Sequence, residues 1–225
     1  MKELRILFED KHIIVCEKPA GLPVQTKSFG TMDMESMLKN HILKTCAQKI
    51  PPFIGIIHRL DQPVSGILVF AKTKEAAAKL NAQMQKDSFG KYYQAVLCGN
   101  LNPAAGTLTD YLVKDGRTNT SRIGKKGEKD AKLSELSYET LKVSSDNALS
   151  VVRIKLKTGR HHQIRVQMAG AGTPLWGDNK YNPEYVNKKG YFPIALCAYK
   201  LEFMHPVTNK PMSFELECNW TQLAE

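Results

Sequence analysis

The chain is short of several features that would place it in large protein classes. Cysteine is scarce: 5 in 225 residues, at Cys16, Cys46, Cys98, Cys197 and Cys218, an odd number set mostly among apolar neighbours. No Cys-x-x-Cys pair and no His-x-x-x-His spacing occurs, which argues against a structural zinc or a disulfide framework. The cysteines read instead as reduced, buried small residues in a cytoplasmic protein. No apolar run approaches the roughly 20 residues of a membrane-spanning helix. Met1 to Lys11 is too charged and broken for the core of a signal peptide. Without secretion, the sequons at Asn119-Thr120-Ser121 and Asn219-Trp220-Thr221 carry no weight. Repeats and strong linkers are absent too, so residues 1–225 are expected to form a single domain with a sizeable core.

Acidic residues are the other shortage. Asp and Glu number 22 against 32 Lys and Arg, for a net charge of +10. That balance points to an anionic partner, nucleic acid first among them. The hydrophobic fraction of 42% is well clear of the disordered range. The surplus charge is uneven. Lys114 to Lys132 holds seven cations (Lys114, Arg117, Arg122, Lys125, Lys126, Lys129, Lys132) against Asp115, Glu128 and Asp130, and shows no periodicity. It is expected to be a basic loop insertion, either a contact for an anionic partner or a solvated excursion.

The remaining pattern alternates short strands with few helices. Strands are expected at His12–Glu17, Phe53–Ile57, Ile67–Ala71, Lys91–Leu97, Leu133–Val143 and Val152–Leu156. A first helix carries Met34, Met37, Leu38 and Ile42 at helical spacing behind Asp33 as N-cap. A second follows Thr73, with Ala76, Ala77, Leu80 and Met84 as its apolar stripe and Gly90 closing the region. A third runs from His161 to Ala169 and stops at Gly170 and Gly172. The tail reads as a hairpin in which Tyr199, Leu201 and Phe203 face Met212, Phe214 and Leu216. Strand and helix do not alternate strictly, so the expected class is α+β, with a largely antiparallel or mixed central sheet flanked by helices.

Two clusters carry chemistry. In His58-Arg59-Leu60-Asp61-Gln62-Pro63-Val64-Ser65-Gly66, one carboxylate sits beside a cation and an imidazole in a loop between two apolar strands. Rigid strands are a good mount for a reactive side chain, although an aspartate in a loop equally serves as a turn former. About a hundred residues later, Lys157-Thr158-Gly159-Arg160-His161-His162-Gln163-Ile164-Arg165 gathers two arginines and two histidines at a strand-to-helix turn. Such a group can bind phosphate or hold a carboxylate ionised. Arg165 is expected one turn after His161, on the same helix face.

With both clusters present, the chain resembles the RluA-type pseudouridine synthases. His58-Arg59-Leu60-Asp61 with Ser65-Gly66 is similar to their catalytic motif. Gly159-Arg160-x-His162-Gln163-Ile164-Arg165, with Gly172-x-Pro174 and Gly177-Asp178, resembles their later motif. Lys91-x-Tyr93-x-Ala95 resembles the segment that supplies their tyrosine, and Glu17-Lys18-Pro19-Ala20-Gly21 and His205-Pro206 fit at the edges. Val64, His161, Gln167 and Thr173 depart from the usual Thr, Thr, His and His. Many members carry an amino-terminal RNA-binding module; here the catalytic domain is expected to stand without one.

The resemblance implies a pseudouridine synthase-like fold and an isomerase that converts uridine to pseudouridine in ribosomal or transfer RNA. It implies no metal or organic cofactor, no membrane and no obligatory protein partner. Asp61 would be the essential carboxylate, acting at C1′, at C6 or on a sugar proton. Arg165 would keep it ionised, and Tyr93 would stack on the uracil and assist removal of the C5 proton. Arg59, Arg160, Lys125 and Lys126 would contact RNA, while His58 would bond loop backbone. Two rivals stand beside this reading. A nucleoside glycosidase would want a second carboxylate flanking the bond, and Asp178 reads as a turn residue. An RNA-binding or folding-helper module without chemistry fits the charge equally well.

Overall fold

The computed structural model describes residues 4–28, 30–46, 51–86, 88–190, 192–218 and 220. The signal-peptide reading of Met1 to Glu3, the side chain of Cys46, and Asn219 and Thr221 of the second sequon lie outside them. The chain runs β1 (Ile6–Glu9), β2 (Ile13–Lys18), α1 (Met34–Cys46), β3 (Gly55–Ile56), β4 (Ser65–Ala71), α2 (Lys74–Gln85), β5 (Gly90–Cys98) and β6 (Ala105–Asp115). It continues through β7 (Thr120–Gly124), β8 (Lys132–Val143), β9 (Leu149–Leu156), α3 (Gln163–Gly170), α4 (Pro183–Val186), β10 (Leu196–Met204) and β11 (Pro211–Glu215). This is the expected α+β class. The elements gather into two compact units, Met1–Gly90 with Ala198–Leu216, and Lys91–Cys197 with Glu217–Glu225.

In the first unit the strand order is β1-β2-β4-β10, with β11 on β10 and β3 on β4. The β1–β2, β2–β4, β3–β4 and β10–β11 ladders are antiparallel. Ile13, Val15, Ile67, Val69 and Ala71 pack with Ala76 and Leu80 of α2 and with Leu201 and Phe203 of the terminal hairpin. Ile14, Cys16, Leu68 and Phe70, which alternate with them, are fully buried as well. Burial on both faces explains why β2 and β4 read as continuous apolar runs. Both expected caps form: the Ala76 amide donates to Thr73 Oγ1 at 3.2 Å and the Ser36 amide to Asp33 Oδ1 at 2.8 Å. The hairpin pairs Leu201 with Phe214 and Phe203 with Met212, as its pattern predicts. The strand expected over Phe53–Ile57 shrinks to β3, because only Gly55 and Ile56 find partners on β4.

Directly after the Asp61 loop, Gly66 adopts φ 133°, and a Cβ there would lie 2.4 Å from the carbonyl oxygen of Ala198 on β10. Only a glycine lets β4 start this close to its neighbour.

In the second unit the order is β5-β9-β8-β6-β7, and each of these ladders is antiparallel. Val96, Val151 and Ala195 form a core that Trp176, Trp220, Leu141 and Leu149 cover. On β9, Val152, Ile154 and Leu156 are buried while Arg153 and Lys155 face outward. Gly90 opens β5 rather than closing the helix before it. The main correction concerns residues 114–132. Far from a loop, they hold the end of β6, a turn at 116–119 and all of β7, followed by a second turn into β8. Only Leu112 of β6 is buried, so this outer hairpin carries little of the apolar alternation that marks a strand.

The Gly66→Ala variant combines a strained φ with a backbone collision. It is expected to lose on the order of 3 kcal/mol in urea unfolding; a loss below about 1 kcal/mol would mean that β10 yields.

Candidate functional site

Asp61 is half-buried at the head of a tight turn in which the Val64 amide donates to its carbonyl oxygen at 3.0 Å. Leu60 and Val64 are buried on either side and pin the turn from below. His58 stands on the same loop. Its Nε2 accepts from the Val69 amide at 3.3 Å, and its ring meets Phe89 edge-on at 5.5 Å. His58 thus bonds backbone, but that of β4 where loop backbone was expected. Arg59 is exposed.

The loop is moored by a residue that the sequence placed only in the Glu17–Gly21 edge segment, without a role. Lys18, the last residue of β2, is fully buried. Its Nζ donates to the carbonyl oxygens of Pro19 at 3.0 Å, Leu22 at 2.7 Å and Gln62 at 3.0 Å. The Gly21 amide also donates to Gln62 O, at 2.9 Å, and Gln62 Nε2 returns a bond to Gly21 O at 3.0 Å. One ammonium therefore ties the Pro19–Leu22 turn to the residue after Asp61. Burial pulls the Lys18 ammonium down to about 8, against the opposing attraction of Asp61. A lysine that ends the strand begun by the apolar run Ile13–Cys16, just before a proline, was the available signal.

In the second unit the structure revises the histidine–arginine cluster. α3 begins at Gln163, and His162 before it is left-handed at φ 55°. His161 therefore lies outside the helix and shares no helical face with Arg165. Arg165 is instead buried against Asp178, with Nε–Oδ2 2.8 Å and Nη2–Oδ1 2.6 Å, at side-chain exposures of 3% and 0%. A cation in the first turn of a helix opposes the macrodipole, so the carboxylate accounts for its place. Asp178 is also the turn residue that was expected, since Oδ1 accepts from the Lys180 and Tyr181 amides at 2.9 and 3.2 Å. Its ion pair was illegible, because the partners stand thirteen positions apart, across the rest of α3 and an irregular stretch.

Tyr181 extends this cluster. Its ring lies 5.1 Å from the Arg165 guanidinium carbon. Its hydroxyl lies 2.6 Å from His162 Nδ1 and accepts from the Ser121 amide at 2.8 Å. Burial, then the charges of Arg165, His161, Lys180 and Lys114, drive His162 down to about 2. A neutral His162 accepts at Nδ1, which frees Tyr181 to donate there while its oxygen takes the Ser121 amide.

The other candidate residues are spread over this unit. Tyr93 is buried on β5 opposite Ile154. Lys91 is buried too, and a Cβ on Gly159 would meet its Nζ at 3.3 Å. Arg160 is exposed and donates from Nε to Leu133 O at 3.0 Å. Lys125 and Lys126 are exposed in the turn between β7 and β8, where Arg122 pairs with Glu128. Among the described residues, no group of three His, Cys, Asp or Glu side chains is placed to hold a metal ion, and no helix is long and apolar enough to cross a membrane.

Residues 12–170 match the model of a family described as RNA pseudouridylate synthase. An uncharacterized RNA pseudouridine synthase of Bacillus subtilis is 34% identical over 217 residues, covering 92% of this chain and 66% of that protein. Ribosomal large subunit pseudouridine synthase D of Pseudomonas aeruginosa is 34% identical over 235 residues, covering 95% of this chain and 68% of that protein. The chain thus spans about two thirds of the length of these relatives. Among solved structures, human RNA pseudouridylate synthase domain containing 4 shares the fold at TM-score 0.76 and 22% identity, over 98% of this chain and 90% of that one.

Two variants test the mooring of these loops. Lys18→Met strands three carbonyls. The unfolded lysine titrates near 10.5 and the folded one near 8, so between those values the unfolded state holds more protons. The stability of the unaltered protein relative to Lys18→Met should therefore rise with pH across that window. A flat difference in urea unfolding from pH 7 to 10.5 would mean the ammonium is not desolvated. Asp178→Asn removes the carboxylate charge from the buried, bidentate partner of Arg165 and should cost about 3–5 kcal/mol, read by thermal unfolding at pH 7; a loss below about 1 kcal/mol would rule out that dependence.

Proposed function

The chain belongs to the RNA pseudouridylate synthase family, and from that membership we propose that it isomerises uridine to pseudouridine in structured RNA. The family match over residues 12–170 carries this reading, because it encloses both motif clusters. The reaction breaks the C1′–N1 bond, turns the uracil and rejoins it through C5. The C5 proton is lost and N1 gains one, but neither the ribose nor the uracil leaves, so the site must hold both fragments and keep out water that would intercept them.

In this reading Asp61 is the essential carboxylate and residues 1–225 act as one catalytic domain. Attack at C1′, attack at C6 and removal of a sugar proton all call for its ionised form. Lys18 and Asp61 attract each other within the first unit. Arg165 is the arginine that sets the charge of the active site, and Tyr93 the ring that stacks on uracil and assists loss of the C5 proton. A uridine stacked in folded RNA must first be turned out, at a cost of about a few kcal/mol. Arg59 would hold the vacated backbone. Arg160, Lys125 and Lys126 are exposed cations suited to phosphate. Ribosomal RNA is the first substrate to test, on the names of the relatives, and transfer RNA the second.

Asp61→Asn should abolish pseudouridine formation, scored by carbodiimide labelling of total RNA from cells lacking the gene, while RNA binding persists within about threefold. Retained turnover would end the assignment of Asp61. Replacing Lys125 and Lys126 together by Ala should reduce the slope of log affinity against log salt by about 1 to 2. An unchanged slope would leave that turn off the RNA.

A further inference from the structure

The β6–β7 hairpin is held to the α3 region in two different ways. Its base is fixed by packing and a buried amide. Gln167 Nε2 donates to Asp110 Oδ2 at 2.7 Å, and Ile123 Cδ1 sits where a Cβ on Gly170 would come within 2.2 Å. Its tip, the turn at 116–119, is exposed throughout. Lys114, Arg117 and Asn119 are all exposed there.

What meets the tip is His161. Its Nε2 lies 3.2 Å from Asn119 Oδ1 and its Nδ1 lies 2.9 Å from Ser121 Oγ. A neutral ring satisfies both at once, donating from Nε2–H to the amide oxygen and accepting the serine hydroxyl at Nδ1. The ring cannot swing away freely. It stacks on His162 at 3.8 Å between centroids and 21° between planes, and His162 is itself held by Tyr181. Lys180 adds one more bond, from Nζ to Asn119 O at 2.8 Å. Register sets Ser121 opposite Lys114, with Arg117 in the turn beyond. The imidazole, with Lys180 and with Tyr181 at the Ser121 amide, therefore holds the strand end beside these two cations.

We propose that His161 is a positioning residue that holds the hairpin tip so that Lys114 and Arg117 meet RNA phosphate in one orientation. This rests on the reading of the chain as an enzyme acting on RNA. Its signature is a split between binding and chemistry. A loose tip makes the same cations pay more entropy on binding, yet leaves the reacting uridine's surroundings as they were once the complex forms.

The test uses the full chain and a transcript spanning the uridine mapped by carbodiimide labelling. His161→Phe keeps the ring stack and removes both hydrogen bonds. It should raise the KM for the transcript about tenfold, with turnover at saturation changed less than about twofold. Amide hydrogen exchange at 116–121 should quicken in the same variant without RNA present. Ser121→Ala and Asn119→Gly, the latter suited to the left-handed φ of 51° at 119, should each move KM the same way. Either one combined with His161→Phe should be no worse than His161→Phe alone. An unchanged KM would overturn the proposal. So would a raised KM with unaltered exchange, which would make His161 an RNA contact instead of a clamp. If the unaltered chain forms no pseudouridine, the functional reading fails, while the exchange measurement still decides whether the clamp exists. Should His161→Phe not fold, the two hairpin variants carry the test by themselves.

Discussion

Much of the second unit hangs on the buried pair between Arg165 and Asp178. Two oppositely charged groups at almost no exposure are costly to bring out of water and costlier to separate. Once joined, they fix the first turn of α3 against the Gly177–Tyr181 turn. That turn presents Tyr181, and Tyr181 in turn orients His162 and receives the amide of Ser121. A chain of dependence thus runs from one ion pair, through a phenol and an imidazole, to a strand of the outer hairpin. Each link would be weak in water. Enclosed together, they specify one arrangement.

The first unit solves a similar problem with the opposite economy of charge. Among the described residues no carboxylate is hydrogen-bonded to Lys18; three neutral carbonyls share its protons. Burial depresses its titration, and the attraction of Asp61 only partly offsets that. The arrangement ties turns that are distant in sequence, Pro19–Leu22 and Asp61–Val64, without placing a second fixed negative charge beside Asp61. Each unit therefore carries a buried cation under a motif loop, one neutralised and one merely solvated by backbone.

The parts of this fold that were legible in the sequence are those that bury apolar side chains. β2, β4, β5, β9, α1, α2 and the terminal hairpin all have their expected type, because burial on one or two faces writes itself into spacing. Caps at Asp33 and Thr73 were readable for the same local reason. The outer hairpin was not, since strands that cover little core need few apolar residues and basic side chains masked what remained. His161 was misplaced on the helix because spacing cannot show that His162 takes a left-handed turn. Asp61 and Arg165 stood out through their neighbours in sequence, whereas Lys18 and Asp178 act through partners that only folding assembles. Two of the positions where the chain departs from the family pattern, His161 and Gln167, both reach the outer hairpin.

The geometry around Lys18 also constrains what else could stand there. Its three N–H bonds diverge tetrahedrally from one nitrogen toward three separate oxygens, whereas a guanidinium spreads its donors in a plane from a bulkier head. Arginine, though it would preserve the charge and suits many sites on so basic a surface, has neither the room nor the directions to replace it. What position 18 demands is a shape, and the positive sign alone would not meet it.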